Sequence, residues 1–154
     1  MGMANTDNIK ARLNAHRALL EELAALKVEL QFARKKYGDI RSAGLSSTGK
    51  SGGPNTDKIA NQVIAKMQLE ERVLKKQEEI NCDEAELSPL LDCLKPAERL
   101  LISLRYFYGG GWQEVCKGLY GGRPDFDEEL DVYMNRIFKM HGRALLALAA
   151  EYRG

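Results

Sequence analysis

Proline and cysteine are scarce in this chain of 154 residues, four and three respectively, and each scarcity excludes something. With so few prolines, long stretches remain in which no residue lacks a backbone N–H, so helices can run uninterrupted. Cys82, Cys93 and Cys116 are odd in number and include no Cys-x-x-Cys pair, which argues against a closed disulfide framework and against a zinc site. They read as reduced, half-buried thiols. Histidine occurs twice, at His16 and His141. His141 has no His, Cys or carboxylate at ligand spacing and reads as a satisfied core histidine, whereas His16 reads as a partly exposed helix position rather than a ligand or pH switch. No nucleophile and base pair and no metal motif is present, so neither a catalytic site, a cofactor nor a metal is expected.

Long apolar runs are missing too. None approaches the roughly eighteen residues that a membrane span requires, and the first residues lack a signal-peptide layout, so no membrane partner and a cytoplasmic location are expected. An excess of one charge sign is also lacking: the net charge is +1, and from Pro96 onward eight Lys or Arg face eight Asp or Glu. What remains is an ordinary composition, 44% hydrophobic and 29% charged, enough for one domain, or one domain with an extension.

The apolar spacing is helical along most of the chain. Thr6 is a candidate cap for a first helix reaching about Tyr37, with Leu19, Leu23, Leu26, Leu30, Ala33 and Tyr37 at alternating four- and three-residue steps. That is a coiled-coil seam, and extending it backwards places Arg12 and His16 on it. Residues 38–55 turn to Gly, Ser, Thr and Pro and read as a flexible linker. Within it, Gly44 to Ser51 matches the phosphate-loop string G-x-x-x-x-G-K-S. A phosphate loop must follow a buried strand and open a helix, and neither neighbour qualifies, so this reads as a loop of chance composition. A second long helix occupies 56–87, capped by Thr56 and striped by Ile59, Val63, Met67, Leu74 and Ile80 up to a polar break at Asn81 to Glu86. Two such helices imply an antiparallel hairpin, a homo-oligomer joined through the same faces, or both.

Residues 88–154 form the last segment. Ser88 and Pro89 open a short helix whose Leu90, Leu91 and Leu94 are expected to pack beneath the C-terminal unit. Pro96 then suits a first helical position, and Leu100, Leu101, Leu104 and Phe107 recur at helical spacing until Gly109, Gly110 and Gly111. Tyr106 and Tyr108 are expected mostly in the core beside Phe107. Trp112 to Tyr120 is one short amphipathic helix with Trp112 as its anchor; Gly121, Gly122 and Pro124 break it. Leu130, Met134, Ile137, His141, Ala144 and Leu148 lay an apolar stripe along a long final helix. Opposite that stripe stand Asn135, Arg136, Lys139 and Arg143. Their types suit duplex DNA: arginine forks onto guanine, asparagine pairs with adenine, and lysine neutralises phosphate. Arg123 in the turn and Arg105 near the end of an earlier helix are candidate phosphate contacts.

The string ERLLISLRYFYGGGWQEVCKGLY and the ending HGRALLAL resemble region 4 of sigma-70 factors, and more closely the small phage transcription regulators of the RinA-like and ArpU-like kind. The resemblance implies an all-α fold, with a helix-turn-helix unit preceded by long helices, in a bacterial host cell, and the function of a sequence-specific regulator of phage or mobile-element genes with double-stranded DNA as partner and host RNA polymerase as a further one. In one respect the chain departs from the pattern: its turn is longer by roughly ten residues than such a motif needs, and it carries Asp125, Asp127, Glu128, Glu129 and Asp131. Either this insertion folds away from DNA, or the unit is an interaction module that docks on RNA polymerase or another regulator without reading DNA.

Overall fold

The computed structural model describes residues 5–46 and 54–153, and the side chains of 5–36 and 57–153. Among them the regular elements are all helical: α1 (Thr6–Ser46), α2 (Pro54–Leu87), a 3₁₀ segment (Ser88–Cys93), α3 (Pro96–Ile102) running into a π-helical segment (Ser103–Phe107), α4 (Trp112–Tyr120) and α5 (Leu130–Glu151). The chain is all-α. No helix among the described residues is long and apolar enough to cross a membrane.

Helix ends differ from the sequence expectation for local reasons. Asn5 rather than Thr6 caps α1, its Oδ1 accepting the Asp7 N–H at 2.9 Å, which satisfies a donor that has no partner within the helix. Helix α1 continues past Tyr37 to Ser46, taking in the first part of the expected linker. The rest of that linker, 47–53, lies outside the described residues, and with it most of the G-x-x-x-x-G-K-S string. Helix α2 opens at Pro54, where a missing N–H costs nothing, and continues through the polar Asn81 to Glu86 stretch to Leu87.

The described chain forms two compact units. One takes the chain up to Glu21 together with everything from Ile80 onward; the other is Glu22–Glu79. In the first, Ile9 and Leu13 of α1 and Leu87 of α2 share a core with Leu91, Leu94, Leu101, Ile102, Tyr106, Val115, Cys116, Tyr133, Ile137, Ala144, Leu145 and Leu148. The first turns of α1 therefore belong to the body built by the C-terminal helices. They are tied to α2 by Asp83, which accepts from both terminal nitrogens of Arg12 and lies 2.7 Å from His16 Nδ1. Burial raises the Asp83 pKa, but the hydrogen bonds from Arg12 and His16 outweigh it and leave the carboxyl below its ordinary range. His16 is thus fully buried, its ring edge-on to Phe107 at 5.2 Å, and is not the partly exposed position that its sequence setting suggests.

Two further expectations shift. Leu100 is 43% and Tyr108 78% exposed, while Leu101, Ile102 and Tyr106 are buried. The buried positions Glu98, Leu101, Ile102 and Tyr106 keep three- and four-residue helical steps, so the inward line runs beside the stripe expected through Leu100 and Leu104 rather than along it. In the second unit Leu23 and Leu30 are buried, whereas Val63, Met67 and Leu74 of the expected α2 stripe are exposed. The half-buried side of α2 is instead Ile59, Gln62, Lys66, Leu69, Val73 and Lys76. Its lysines cover apolar surface with their stems while their ammonium groups reach carboxylates: Lys66 pairs with Glu70 at 3.7 Å, and Lys76 with Glu22 at 2.8 Å and Glu79 at 3.0 Å.

Helix α5 is held by a buried polar contact. His141 Nε2 lies 2.8 Å from the Tyr106 hydroxyl, and Trp112 meets the His141 ring edge-on at 4.8 Å. Burial, with Lys10 and Arg105 nearby, pushes the His141 pKa down to about 4. As pH falls, the unfolded chain therefore takes up this proton near the ordinary histidine value and the folded chain only near 4, so the stabilisation is complete above the unfolded pKa and drains away between the two. Urea titrations at about pH 7.5 and about pH 5 should show the wild type losing about 2 kcal/mol more than His141→Gln over this interval.

Candidate nucleic-acid interface

The geometry of α5 is set by its repeat. Tyr133, Ile137, His141, Ala144, Leu145 and Leu148 are buried, which fixes the rotation of the helix and leaves the opposite face in solvent. Asn135, Arg136, Lys139 and Arg143 are all exposed there. Asn135, Lys139 and Arg143 stand four residues apart, one above another on the helix surface. Among the described residues none of the three cations is ion-paired to a carboxylate. Exposed Val132 and Leu146 share this side of the helix, and Phe138 borders it, 47% exposed and edge-on to Trp112 at 5.3 Å.

The acidic turn is not loose. Gly121–Glu129 closes on itself through backbone hydrogen bonds from Arg123 N–H to Tyr120 C=O, Phe126 N–H to Arg123 C=O and Glu129 N–H to Asp125 C=O. Tyr133 then clamps it to the helix. Its hydroxyl donates to Asp125 Oδ1 at 2.7 Å, and its ring stacks with Tyr120 at 4.9 Å and with Phe126 at 6.1 Å. The hydrogen bond to Asp125 is also the chief reason that the Tyr133 pKa is raised. At 100° per residue, Tyr133 stands roughly 160° from Asn135 and roughly 120° from Lys139 around the axis. The turn is therefore anchored on the side of α5 remote from those two residues. Arg136 is nearer, its guanidinium 5.3 Å from the centre of the Tyr133 ring. Asp131 in the first turn of α5 interacts favourably with the helix dipole.

The two candidate phosphate contacts fare differently. Arg123 is exposed in the turn. Arg105 is half-buried and engaged: it donates to the Gly110 carbonyl at 3.1 Å, and its guanidinium carbon lies 4.4 Å from the centre of the Trp112 ring. It holds the tight turn in which Gly109, at φ 73°, adopts a conformation that side chains disfavour. Burial lowers the Arg105 pKa, and Arg17 adds to the effect. Trp112, expected as a core anchor, is one for His141, Phe138 and Arg105 together.

Sequence reasoning passed over Tyr133, Asp125 and Phe126 as a unit. The signal available was an aromatic three residues into α5, at a position that periodicity also assigns to the buried face, coming after an Asp and a Phe within a polar turn. Among the described residues no cluster of His, Cys, Asp or Glu is arranged to hold a metal; Cys116 is buried, and Cys82 and Cys93 are exposed rather than half-buried.

Tyr133→Phe removes one hydrogen bond and leaves the ring stacking in place. It should cost about 1 kcal/mol in stability, and hydrogen exchange at the Phe126 and Glu129 amides should accelerate while exchange along Ile137 to Leu148 is unchanged at conditions favouring local opening. Set against models of protein families, characterised proteins and solved structures, the chain matches none.

Proposed function

We propose that this chain is a DNA-binding transcriptional regulator of phage or mobile-element genes, whose helix-turn-helix is formed by α4, the acidic turn and α5, and whose α5 enters the major groove. The observation that carries this reading is the exposed row of Asn135, Arg136, Lys139 and Arg143 on a helix rotated into place by its buried face, without carboxylate partners among the described residues. A helix of this width fits a major groove, and these side chains are the ones that pair with base edges and phosphates there. The Tyr133 clamp bears on the acidic insertion: with Asp125 tied down on the flank of α5, the insertion need not cover Asn135 and Lys139. Exposed Val132 and Leu146 could meet thymine methyl groups on the same face.

Helix-turn-helix regulators commonly act as dimers on paired half-sites, and the long-helix unit offers apolar side chains for such a pairing: Val28 and Phe32 on α1, and Ile64, Met67 and Leu74 on α2, are all more than half exposed. A homo-oligomer through the long helices belongs to the proposal.

A second reading is a non-catalytic module that docks on RNA polymerase or another regulator. It is favoured by the balanced charge of the region after Pro96 and by the apolar Phe138 and Leu146 exposed among the α5 cations, since most DNA-binding surfaces are basic overall.

Fluorescence anisotropy separates the two. With a labelled duplex from upstream of the protein's own gene, Arg136→Ala should cost about 1–3 kcal/mol in binding, and Lys139→Ala should reduce the slope of log affinity against log salt by about 1. Equal and negligible affinity for this duplex and a scrambled one would point to the docking module, with polymerase pull-down as its direct check.

A further inference from the structure

Three buried side-chain nitrogens among the described residues have no hydrogen-bond partner: His16 Nε2, Arg17 Nε and Arg105 Nε. All three belong to the junction between α1 and the segment from Arg105 to Gly109. There the His16 ring rests on Phe107 at 5.2 Å, and Leu20, one turn further along α1, approaches Gly109, a Cβ at which would lie 3.6 Å from Leu20 Cδ1. Arg17 lies between those two contacts on α1, and Arg105 at the start of the segment they meet. Both arginines thus belong to one compact unit, on the two segments that meet through His16 and Phe107 and through Leu20 and Gly109, and the charge of Arg17 is near enough to lower the Arg105 pKa.

Each is only partly satisfied. Arg17 gives one terminal nitrogen to Glu21 Oε1 at 3.0 Å, and Arg105 gives one to the Gly110 carbonyl at 3.1 Å. No other hydrogen bond is made by either guanidinium among the described residues. Arg17 is 24% and Glu21 67% exposed at the side chain, so that ion pair lies at the solvent edge and is readily exchanged. Glu114 is the other carboxylate close by, near the backbone of Gly110 and Gly111. Arg105 is fixed by the Gly110 carbonyl and the Trp112 face, so little motion has to be frozen when it takes a ligand. Like charges brought together and partly desolvated stabilise an oxyanion more than the same groups in open water would.

We propose that Arg17 and Arg105 together form a site for one phosphate group. The guanidinium fork matches the geometry of phosphate oxygens, and neither arginine's remaining N–H groups are committed elsewhere among the described residues. The source of that phosphate is the backbone of a bound duplex: Trp112 lies between Arg105 and Phe138, which borders the exposed face of α5, so Arg105 stands beside the helix proposed to enter the groove. This assignment of source rests on the DNA-binding reading; the phosphate chemistry does not.

The test has two arms. In the first, the Nε–H resonances of the full chain are followed by ¹H–¹⁵N NMR during titration with inorganic phosphate, with chloride at equal ionic strength as control. Two arginine signals, identified by their loss in Arg17→Gln and Arg105→Lys, should shift saturably with phosphate and not with chloride, and Arg17→Gln should abolish saturation at the remaining signal. Because Arg17→Gln keeps the stem and touches no turn, it remains interpretable if Arg105→Lys fails to fold. Shifts equal in phosphate and chloride, or saturation unaffected by Arg17→Gln, would overturn the site. In the second arm, Arg17→Gln should lower the slope of log affinity against log salt for duplex by about 0.9, one phosphate contact. A saturable phosphate shift with an unchanged slope would keep the site and assign it to free phosphate, overturning the duplex source. Absence of duplex binding by the wild type would remove the DNA-binding reading, while the first arm still decides the site.

Discussion

The contact between His141 and Tyr106 governs how the C-terminal unit can pack. A histidine in the middle of the buried face of α5 would break that face if its nitrogen found no partner, since an unmet buried polar group costs about 1–3 kcal/mol. The Tyr106 hydroxyl at 2.8 Å removes that cost, and Trp112 closes over the ring from α4. Three elements are thereby brought to one point: the π-helical segment that carries Tyr106, the first turn of α4, and α5. Once α5 is rotated so that His141 reaches Tyr106, the row from Asn135 to Arg143 has to face solvent. The outward face is a consequence of the inward bond.

A second constraint concerns charge. The chain carries nearly equal numbers of acidic and basic residues, so a cationic face can exist only where acids are held apart from it. The fold does this by local pairing. Carboxylates of the long helices are engaged with lysines and arginines along α1 and α2, Asp83 is taken by Arg12 and His16, and the acidic turn is fastened by Tyr133 to one flank of α5. Net charge is thus a poor guide to any single face of this molecule.

What the sequence made legible was governed by periodicity. The all-α class and the buried face of α5 are plain because apolar residues recur there at helical spacing with little interruption, and the same spacing singled out Asn135, Arg136, Lys139 and Arg143 as a common face. Periodicity misled where another rule operates. On α2 it chose Val63, Met67 and Leu74, whereas lysine stems fill much of the inward face. At Leu100 and Tyr108 it turned inward two residues that flank the buried line of Leu101, Ile102 and Tyr106. Contacts between distant residues left weaker traces. Arg12 and His16 fall on the backward extension of an otherwise leucine-rich seam, but nothing local identifies Asp83 as the partner that both find. Nor does sequence separate Arg123, which is exposed, from Arg105, which is spent partly on Gly110 and Trp112.

The proposed function stands or falls on whether the outward face of α5 is the surface that meets a duplex. Backbone amide NMR of the full chain, with and without a duplex from upstream of its own gene, addresses this directly. Shifts should concentrate on α5 from Asn135 to Arg143 and weaken as salt is raised. Shifts confined to the long-helix unit, or none under conditions where a basic control protein responds, would refute it.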